Sequence, residues 1–392
     1  MIYNFDEVIN RRDTHSVKWD AGELLKTFGL TERFDDETIS LFVADMDFAC
    51  PEPVLEALRN RVNQRMFGYS LHSASPDYHE AIQGWFRRRH TWEIATEAIV
   101  YSPGTVEALD AMVRAFSEPG DGVIIQRPVY GPFTQVIEHN KRSLVNNALI
   151  NTDGYYTIDF DDFATKAKDP ANKLFILCSP HNPVGRVWTA EELTQLAHIC
   201  LENDVVLVAD EIHGDLLRKE QKHFPICTLV DDDRLIACTA INKTFNTAGL
   251  HCSNIIINNK EMRQKFSDTL GFKTPNPFSI SALIATYNHG EEWLTQLNDY
   301  IDGNLNFVAD FLKTHMPEVR FRIPEGSYIG WMDFRGYGLT PAEVHRRIYL
   351  QANVVLEDGE MFGIEGTGYQ RICTPSPRLL LQQALERIAD QF

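Results

Sequence analysis

The chain has 392 residues and a formal net charge of −18; 44% of its residues are hydrophobic and 23% are charged. This composition allows a large core and two domains, and the negative charge makes nucleic acids and anionic membranes unfavourable partners. No stretch approaches the roughly 18 apolar residues of a membrane helix, the N-terminus lacks a secretory signal pattern, and the seven cysteines include no C-x-x-C pair. We therefore expect a cytoplasmic protein with reduced thiols and, since zinc-ligand spacings do not occur, no metal site.

Strand and helix patterns alternate through the middle of the chain. Apolar periodicity predicts helices over residues 104–116, 190–203 and 260–270, and strands over 122–127, 173–178, 205–209, 235–239 and 254–258. Such alternation is typical of a mostly parallel sheet covered by helices. We therefore predict an α/β fold for this region.

The first motif is a Pro-Gly turn that opens a predicted helix, in the run Ser-Pro-Gly-Thr-Val-Glu-Ala-Leu over residues 102–109. Unpaired amides and the helix dipole attract anions at such an end, and Gly104 would let a phosphate approach the backbone. A Gly-Thr pair at a helix start can equally be a simple cap. The motif alone leaves both interpretations open.

Two polar motifs follow buried strand patterns. Asn182 lies in Cys-Ser-Pro-His-Asn-Pro-Val-Gly (178–185), which predicts an irregular turn directly after a strand. Ligands of open α/β sheets bind at such strand ends, although a turn asparagine can also satisfy only its own backbone. Asp210 ends the apolar run 205–209 and could hold a proton on the nitrogen of a heterocyclic cofactor. Magnesium is the alternative ligand of such acids, but no G-x-x-x-x-G-K-[ST] motif accompanies Asp210.

Lys243 stands in a mostly apolar segment, Ala-Ile-Asn-Lys-Thr-Phe-Asn-Thr-Ala-Gly-Leu (240–250). An ammonium group removed from water must pair or lower its pKa. A lysine perturbed in this way is a good nucleophile and commonly forms a Schiff base with a carbonyl cofactor such as pyridoxal phosphate. Asn182, Asp210 and Lys243 follow one another at intervals of about 30 residues, the length of one strand-helix-strand unit. We therefore expect all three at one edge of a parallel sheet.

The later part of the chain has a different pattern. Residues 291–314 predict one long amphipathic helix, Val319–Phe334 and Gln370–Thr374 predict strands, and residues 340–352 and 378–391 predict further helices. Helices and strands in this order indicate an α+β unit that is distinct from the alternating region.

The chain resembles the fold type I pyridoxal-phosphate enzymes of the aminotransferase class I/II superfamily, and within them the MalY/PatB-type cystathionine β-lyases, also called C-S lyases. The closer resemblance is carried by Phe42-Val-Ala-Asp-Met-Asp-Phe48, Phe67-Gly-Tyr69, Trp85-Phe-Arg-Arg-Arg-His-Thr-Trp92, Glu118-Pro-Gly-Asp121, Arg127-Pro-Val-Tyr-Gly-Pro-Phe133 and Asp210-Glu-Ile-His213. It implies a large cofactor-binding domain with a mostly parallel seven-stranded sheet at residues 46–285. It also implies a small discontinuous domain at residues 1–45 and 286–392, and a homodimer with shared active sites.

The resemblance also implies roles for individual residues. The cofactor-binding candidates are Gly104, Thr105, Val106, Tyr130, Asn182, Asp210, His213 and Lys243. Lys243 would bind pyridoxal phosphate covalently, Asp210 would face its ring nitrogen and Asn182 its ring hydroxyl, while Tyr130 would cover the ring. The phosphate would bind the amides of residues 104–106 and Tyr69 of the neighbouring subunit.

A small amino acid is the implied substrate, with its carboxylate on Arg371 in Tyr-Gln-Arg-Ile-Cys-Thr (369–374). Lys243 would remove the Cα proton and a thiolate would then leave Cβ, which makes the predicted reaction a C-S lyase reaction. An aminotransferase needs the same residues and is the alternative; a pyridoxal-phosphate-binding regulatory protein is a third possibility. Asn242, His251 and Cys373 differ from the residues common in the family, and these differences bear on phosphate affinity and pocket shape.

Overall fold

The computed structural model describes residues 1–27 and 29–392. Its α-helices are α1 (Gly22–Thr27), α2 (Glu52–Asn63), α3 (Pro76–His90), α4 (Thr105–Phe116), α5 (Gly131–His139), α6 (Phe160–Ala167), α7 (Ala190–Glu202), α8 (Lys260–Leu270), α9 (Pro277–His289), α10 (Glu291–His315), α11 (Pro341–His345) and α12 (Arg378–Ala389). Its strands are β1 (Ile39–Ser40), β2 (Ile99–Ser102), β3 (Gly122–Ile125), β4 (Ser143–Asn146), β5 (Ile150–Thr152), β6 (Tyr155–Thr157), β7 (Asn172–Cys178), β8 (Val206–Asp210), β9 (Ile236–Ala240), β10 (Ser253–Ile257), β11 (Arg320–Phe321), β12 (Ile329–Asp333), β13 (Val354–Val355), β14 (Glu357–Asp358) and β15 (Tyr369–Cys373).

The central sheet has seven strands in the order β2-β10-β9-β8-β7-β3-β4. Only β10 runs antiparallel to its two neighbours, and the other pairs are parallel. Strands β3, β9 and β10 are buried throughout, because both faces of the sheet are covered by helices. The predicted α/β fold with a mostly parallel seven-stranded sheet is confirmed.

The two faces of this sheet have separate cores. On one face, side chains of α4, α5 and α8 pack on alternate strand residues such as Val123 and Val208. On the other face, side chains of α3, α7 and α9 pack on the intervening residues, such as Ile124 and Leu207. This alternation follows from the two-residue period of a strand and holds the strand ends in a fixed arrangement.

A second unit is built around the antiparallel sheet β11-β12-β15-β14. Its core combines N-terminal side chains such as Leu25 and Leu41 with C-terminal ones such as Val354 and Leu385. The short strand β1 pairs in parallel with β13, so the start of the chain is joined to its last quarter. Among the described residues, no helix, including the 25-residue α10, is both long and apolar enough to cross a membrane.

Two predicted elements differ from those observed. The prediction of one strand over Val319–Phe334 is wrong, because Pro324 and the positive φ of 67° at Ser327 interrupt the extended backbone between β11 and β12. The predicted helix over residues 340–352 begins as α11 and continues as a π-helix over Arg346–Gln351.

Candidate active site

Three neighbouring strands bring the sequence motifs together. β7, β8 and β9 lie side by side and run parallel, so the segments after their carboxyl ends meet at one edge of the sheet. Asn182, Asp210 and Lys243 all line a cavity of about 160 Å³ at this edge. The complete lining is Val43, Ala44, Tyr130, Cys178, Asn182, Asp210, Ile212, His213, Lys243, Glu357 and Arg371.

Lys243 presents a perturbed amine to this cavity. Its Nζ donates a hydrogen bond of 2.6 Å to the carbonyl oxygen of Ala44. Removal from water lowers the pKa of Lys243, and the nearby cation of Arg371 lowers it further. The lowered pKa increases the fraction of neutral, nucleophilic amine, as the apolar sequence around this lysine predicts.

Asp210 is a buried carboxylate at the end of β8, 5% exposed. Burial raises the pKa of Asp210 to about 7, against the opposing effects of a hydrogen bond from the Ile212 amide and the charge of Lys243. Such a carboxyl gains or loses a proton near neutral pH. It can therefore pair with a basic nitrogen that is placed against it, since a positive partner favours its ionised form.

Arg371 brings a buried guanidinium from β15 to the same cavity and is 2% exposed. Its Nη1 donates to Asn182 Oδ1 at 2.9 Å, and its Nη2 forms an ion pair with Glu357. Burial lowers the pKa of Arg371, but the Glu357 carboxylate outweighs this effect and raises the pKa above its ordinary value. Nε is buried and has no hydrogen-bond partner among the described residues, which leaves it available to an added acceptor.

Two aromatic residues complete the wall as neutral groups. Tyr130 directly precedes α5, and its amide donates to the Asn182 carbonyl at 3.1 Å. Burial raises the pKa of Tyr130 to about 12. His213 is buried with Nδ1 3.0 Å from Ser327 Oγ, and burial lowers the pKa of its imidazole to about 3. Both side chains are therefore uncharged at neutral pH and can pack against a flat ring.

The remaining predicted site residues lie outside the lining of this cavity. Gly104 precedes α4 at the carboxyl end of β2, and Thr105 and Val106 begin that helix. A Cβ at Gly104 would collide with the Glu107 carboxylate, so an acidic group already lies at this helix end, where the dipole favours negative charge. Tyr69 is fully exposed and belongs to a surface segment without regular structure.

Several lining residues were not among the sequence candidates. Val43 and Ala44 belong to the segment 42–48 that carries the family resemblance, and Ala44 acts through its backbone carbonyl, which side-chain patterns do not reveal. Glu357 was missed entirely. The available signal was an acidic residue directly after the buried apolar run 354–356, where a carboxylate needs a partner.

The donor set fits an organic cofactor with a carbonyl group, a basic ring nitrogen and anionic substituents. Lys243 supplies an amine, Asp210 a carboxyl with a pKa of about 7, and Arg371 a cation with a buried, unpartnered Nε. No group of three or more His, Cys, Asp or Glu side chains within residues 1–27 and 29–392 is arranged to hold a metal ion. Lys243 and Asp210 place an amine and a carboxyl in the same cavity.

The model of the aminotransferase class I and II family matches residues 36–388. The chain belongs to this family. It is 44% identical to cystathionine beta-lyase PatB of Bacillus subtilis (strain 168), with 98% of each chain covered. It is 31% identical to Protein MalY of Escherichia coli (strain K12), with 98% of this chain and 97% of MalY covered. The crystal structure of the PLP-bound C-S lyase from Staphylococcus hominis matches with a TM-score of 0.92 and 38% identity, covering 100% of this chain and 98% of that one.

These similarities confirm the MalY/PatB-type resemblance predicted from the motifs. They extend over almost the whole chain and therefore include both the strand ends of the central sheet and the β14–β15 region that supplies Glu357 and Arg371. The individual roles of the cavity residues stay predictions.

Proposed function

We propose that this protein is a pyridoxal-phosphate-dependent C-S lyase that cleaves the Cβ–S bond of cystathionine or a related S-substituted cysteine. The products would be a thiol, pyruvate and ammonia, with one water consumed. The supporting observation is the cavity that combines Lys243, Asp210 and Arg371 in a chain 44% identical to a cystathionine beta-lyase over nearly its whole length.

The cofactor would be held by residues from several elements. Lys243 would bind it covalently, Asp210 would pair with its ring nitrogen, and Asn182 would contact its ring hydroxyl. Tyr130 and His213 are the neutral rings of the cavity wall. The amides at Gly104, Thr105 and Val106 would receive the phosphate in place of the Glu107 carboxylate, because the start of α4 favours an anion.

When bound, pyridoxal phosphate supplies a carbonyl for the substrate amine and a ring that accepts the electron pair left by the Cα proton. The protein's own residues direct this chemistry. Arg371 would hold the substrate carboxylate through its buried N–H groups, and the Lys243 amine would take the Cα proton. Asp210 would keep the ring nitrogen protonated. The thiolate would then leave from Cβ, and water would complete the release of pyruvate and ammonia.

An aminotransferase would need the same lysine, aspartate and arginine. The two functions are therefore distinguished by how the substrate is bound. Transamination commonly alternates two acid substrates, whereas the cavity lining contains one guanidinium, Arg371, among the described residues. Elimination needs only one clamp, because only the α-carboxylate beside the reacting Cα has to be held. A regulatory protein without turnover would not require Lys243 and Asp210 in one cavity.

The assembly proposed here is a homodimer of two-domain subunits with shared sites, in the cytoplasm. Large exposed apolar side chains support a partner surface; they are Val62, Met66, Phe67, Tyr69, Leu71 and Phe272. The shared core of the N-terminal and C-terminal segments supports a small domain of residues 1–45 and 286–392, with 46–285 as the large domain. All seven cysteines are free thiols, which supports a reducing compartment.

The function is tested by incubating the purified holoenzyme with L-cystathionine and, separately, with L-alanine or an aromatic amino acid plus 2-oxoglutarate. We expect equal amounts of thiol, pyruvate and ammonia from cystathionine and little glutamate from the other mixtures. The Lys243→Ala variant should lose both the elimination and the cofactor bond that borohydride makes permanent. Rapid glutamate formation without thiol release would make the protein an aminotransferase instead.

A further inference from the structure

Glu357 is a buried acid in direct contact with the proposed carboxylate clamp. It lies on β14 directly opposite Arg371 on β15, so the register of these strands places the two side chains together. Glu357 forms an ion pair with Nη2 of Arg371, and the two side chains are only 13% and 2% exposed. Both line the cavity that contains Lys243.

The position of Glu357 on the guanidinium matters for any second carboxylate. A guanidinium binds a carboxylate bidentately through Nη1 and Nη2 together or through Nη2 and Nε together. Both arrangements use Nη2. Asn182 already accepts from Nη1, Glu357 contacts Nη2, and Nε has no partner among the described residues. A substrate carboxylate can therefore bind with two hydrogen bonds only if Glu357 withdraws from Nη2 or shares it.

We propose that Glu357 is a specificity-determining residue that occupies Arg371 in the absence of substrate and competes with the substrate carboxylate for it. This inference rests on the proposed role of Arg371 as the carboxylate clamp. Glu357 would weaken the binding of simple carboxylates. Amino acids would overcome the competition because their amine is bound at the same time, which raises the effective concentration of their carboxylate at Arg371.

The charged groups that face Glu357 agree with this competition. Burial raises the pKa of Glu357, whereas the positive charges of Arg371 and Lys243 oppose that rise. Of these two cations, Arg371 favours the ionised form of Glu357 more strongly than Lys243 does. When a substrate carboxylate replaces Glu357 at Nη2, Arg371 still has one carboxylate partner. Glu357 can then take up a proton.

The test compares wild-type holoenzyme with Glu357→Gln, using propionate as a carboxylate probe without an amine. Removal of the competing charge should tighten inhibition by propionate by about tenfold. It should also lower KM for the sulfur substrate by a larger factor than it changes kcat, because the competition concerns the binding of the carboxylate. Asp358→Asn is the matched control, because Asp358 is the next residue of β14 and binds His345 and Gln370 instead. This control should leave the propionate affinity unchanged.

Propionate affinity that is unchanged or weaker in Glu357→Gln would overturn the inference, since a merely structural role predicts a disordered and weaker clamp. If Glu357→Gln does not fold, Glu357→Asp gives the same comparison: its shorter side chain should tighten propionate binding by a smaller factor. Arg371→Lys separates the two proposals. If it leaves propionate affinity intact, the clamp assignment is wrong, whereas wild-type release of pyruvate from cystathionine tests the lyase function independently.

Discussion

Asp210 is a site residue whose ionisation depends strongly on its buried environment. At the end of β8 its carboxylate accepts a hydrogen bond from the Ile212 amide at 3.3 Å, and burial raises its pKa to about 7. An ionised Asp210 without a cationic ring nitrogen is therefore unfavourable. The proposed cofactor would remove this cost by placing a protonated nitrogen against the carboxylate, so cofactor binding and the ionisation of Asp210 should be coupled.

This coupling predicts a pH-dependent stability of the cofactor-free protein. The pKa of Asp210 is raised in the folded state, so the folded protein holds the proton more tightly than the unfolded chain between about pH 4 and pH 7. The contribution of protonated Asp210 to the free energy of unfolding is fully present below this window and is lost as the pH rises through about 7. Asp210→Asn should therefore gain stability relative to wild type between pH 4 and pH 8, by up to about 4 kcal/mol.

Denaturant unfolding of both cofactor-free proteins across this pH range measures the difference. A constant difference in the free energy of unfolding would contradict the raised pKa. The same variant should lose most lyase activity, because a neutral amide does not keep the ring nitrogen protonated. Its gain in stability and its loss of activity would thus have one cause.

At the scale of elements, the segment 42–48 connects the N-terminal region to the Lys243 loop. Ala44 accepts the hydrogen bond of the Lys243 amine, and Asn246 exchanges hydrogen bonds with the Met46 backbone.

Asp47 fixes the end of the same segment through its carboxylate. The carboxylate accepts hydrogen bonds from Arg11, Lys18, Trp19 and Ser376. Burial alone would raise the pKa of Asp47, but Lys18 and the other donors lower it below its usual value.

Lys18 has no exposed surface, and its Nζ lies 2.7 Å from Asp47 Oδ2. Asp47→Ala should therefore destabilise the protein by about 3–5 kcal/mol, because it leaves a buried ammonium without its counter-ion. The double variant Lys18→Met with Asp47→Ala should recover part of this loss. The free energies of unfolding from denaturant titration give the comparison. If Asp47→Ala is at least as stable as the double variant, the unpaired Lys18 is not the cause of the destabilisation.

At the scale of the whole molecule, Tyr69 is the residue whose role depends on a second subunit. Its side chain is fully exposed in the single chain, and Phe67 beside it contacts Phe278 with ring centroids 5.2 Å apart. In the proposed dimer this surface would be covered, and Tyr69 would reach the partner's phosphate. The cavity formed by one chain would then be complete only in the assembly.

Hybrid dimers test this arrangement. Tyr69→Ala and Lys243→Ala homodimers should each have little activity, since every site lacks one residue. Unfolding and refolding an equal mixture should restore about a quarter of the wild-type activity: half of the dimers are then mixed, and one of their two sites combines an intact Tyr69 with an intact Lys243. Mixing Asp210→Asn with Lys243→Ala is the control and should restore nothing, because these residues serve the same site of one chain. If neither mixture recovers activity, Tyr69 serves the cofactor site of its own chain.

The sequence by itself determined five of the seven central strands and the polar residues at their edge, whereas β2 and β4 were not predicted. Strand and turn chemistry are local, so apolar runs that end at Asn182, Asp210 and Lys243 already indicate which side chains lie at the carboxyl ends of parallel strands. The lowered pKa of Lys243 also follows from its apolar neighbours. The predicted sheet was confirmed, and these three residues line one cavity.

Only the tertiary structure decided which distant segments meet. The contact between Glu357 and Arg371 arises from the register of β14 on β15, and the pairing of β1 with β13 joins residues more than three hundred positions apart. The interruption between β11 and β12 has a local cause instead, since it coincides with Pro324 and the positive φ at Ser327. The physical reason is that strand register and domain packing minimise the exposed apolar area of the whole chain, so a window of local sequence does not contain the partner that fixes them.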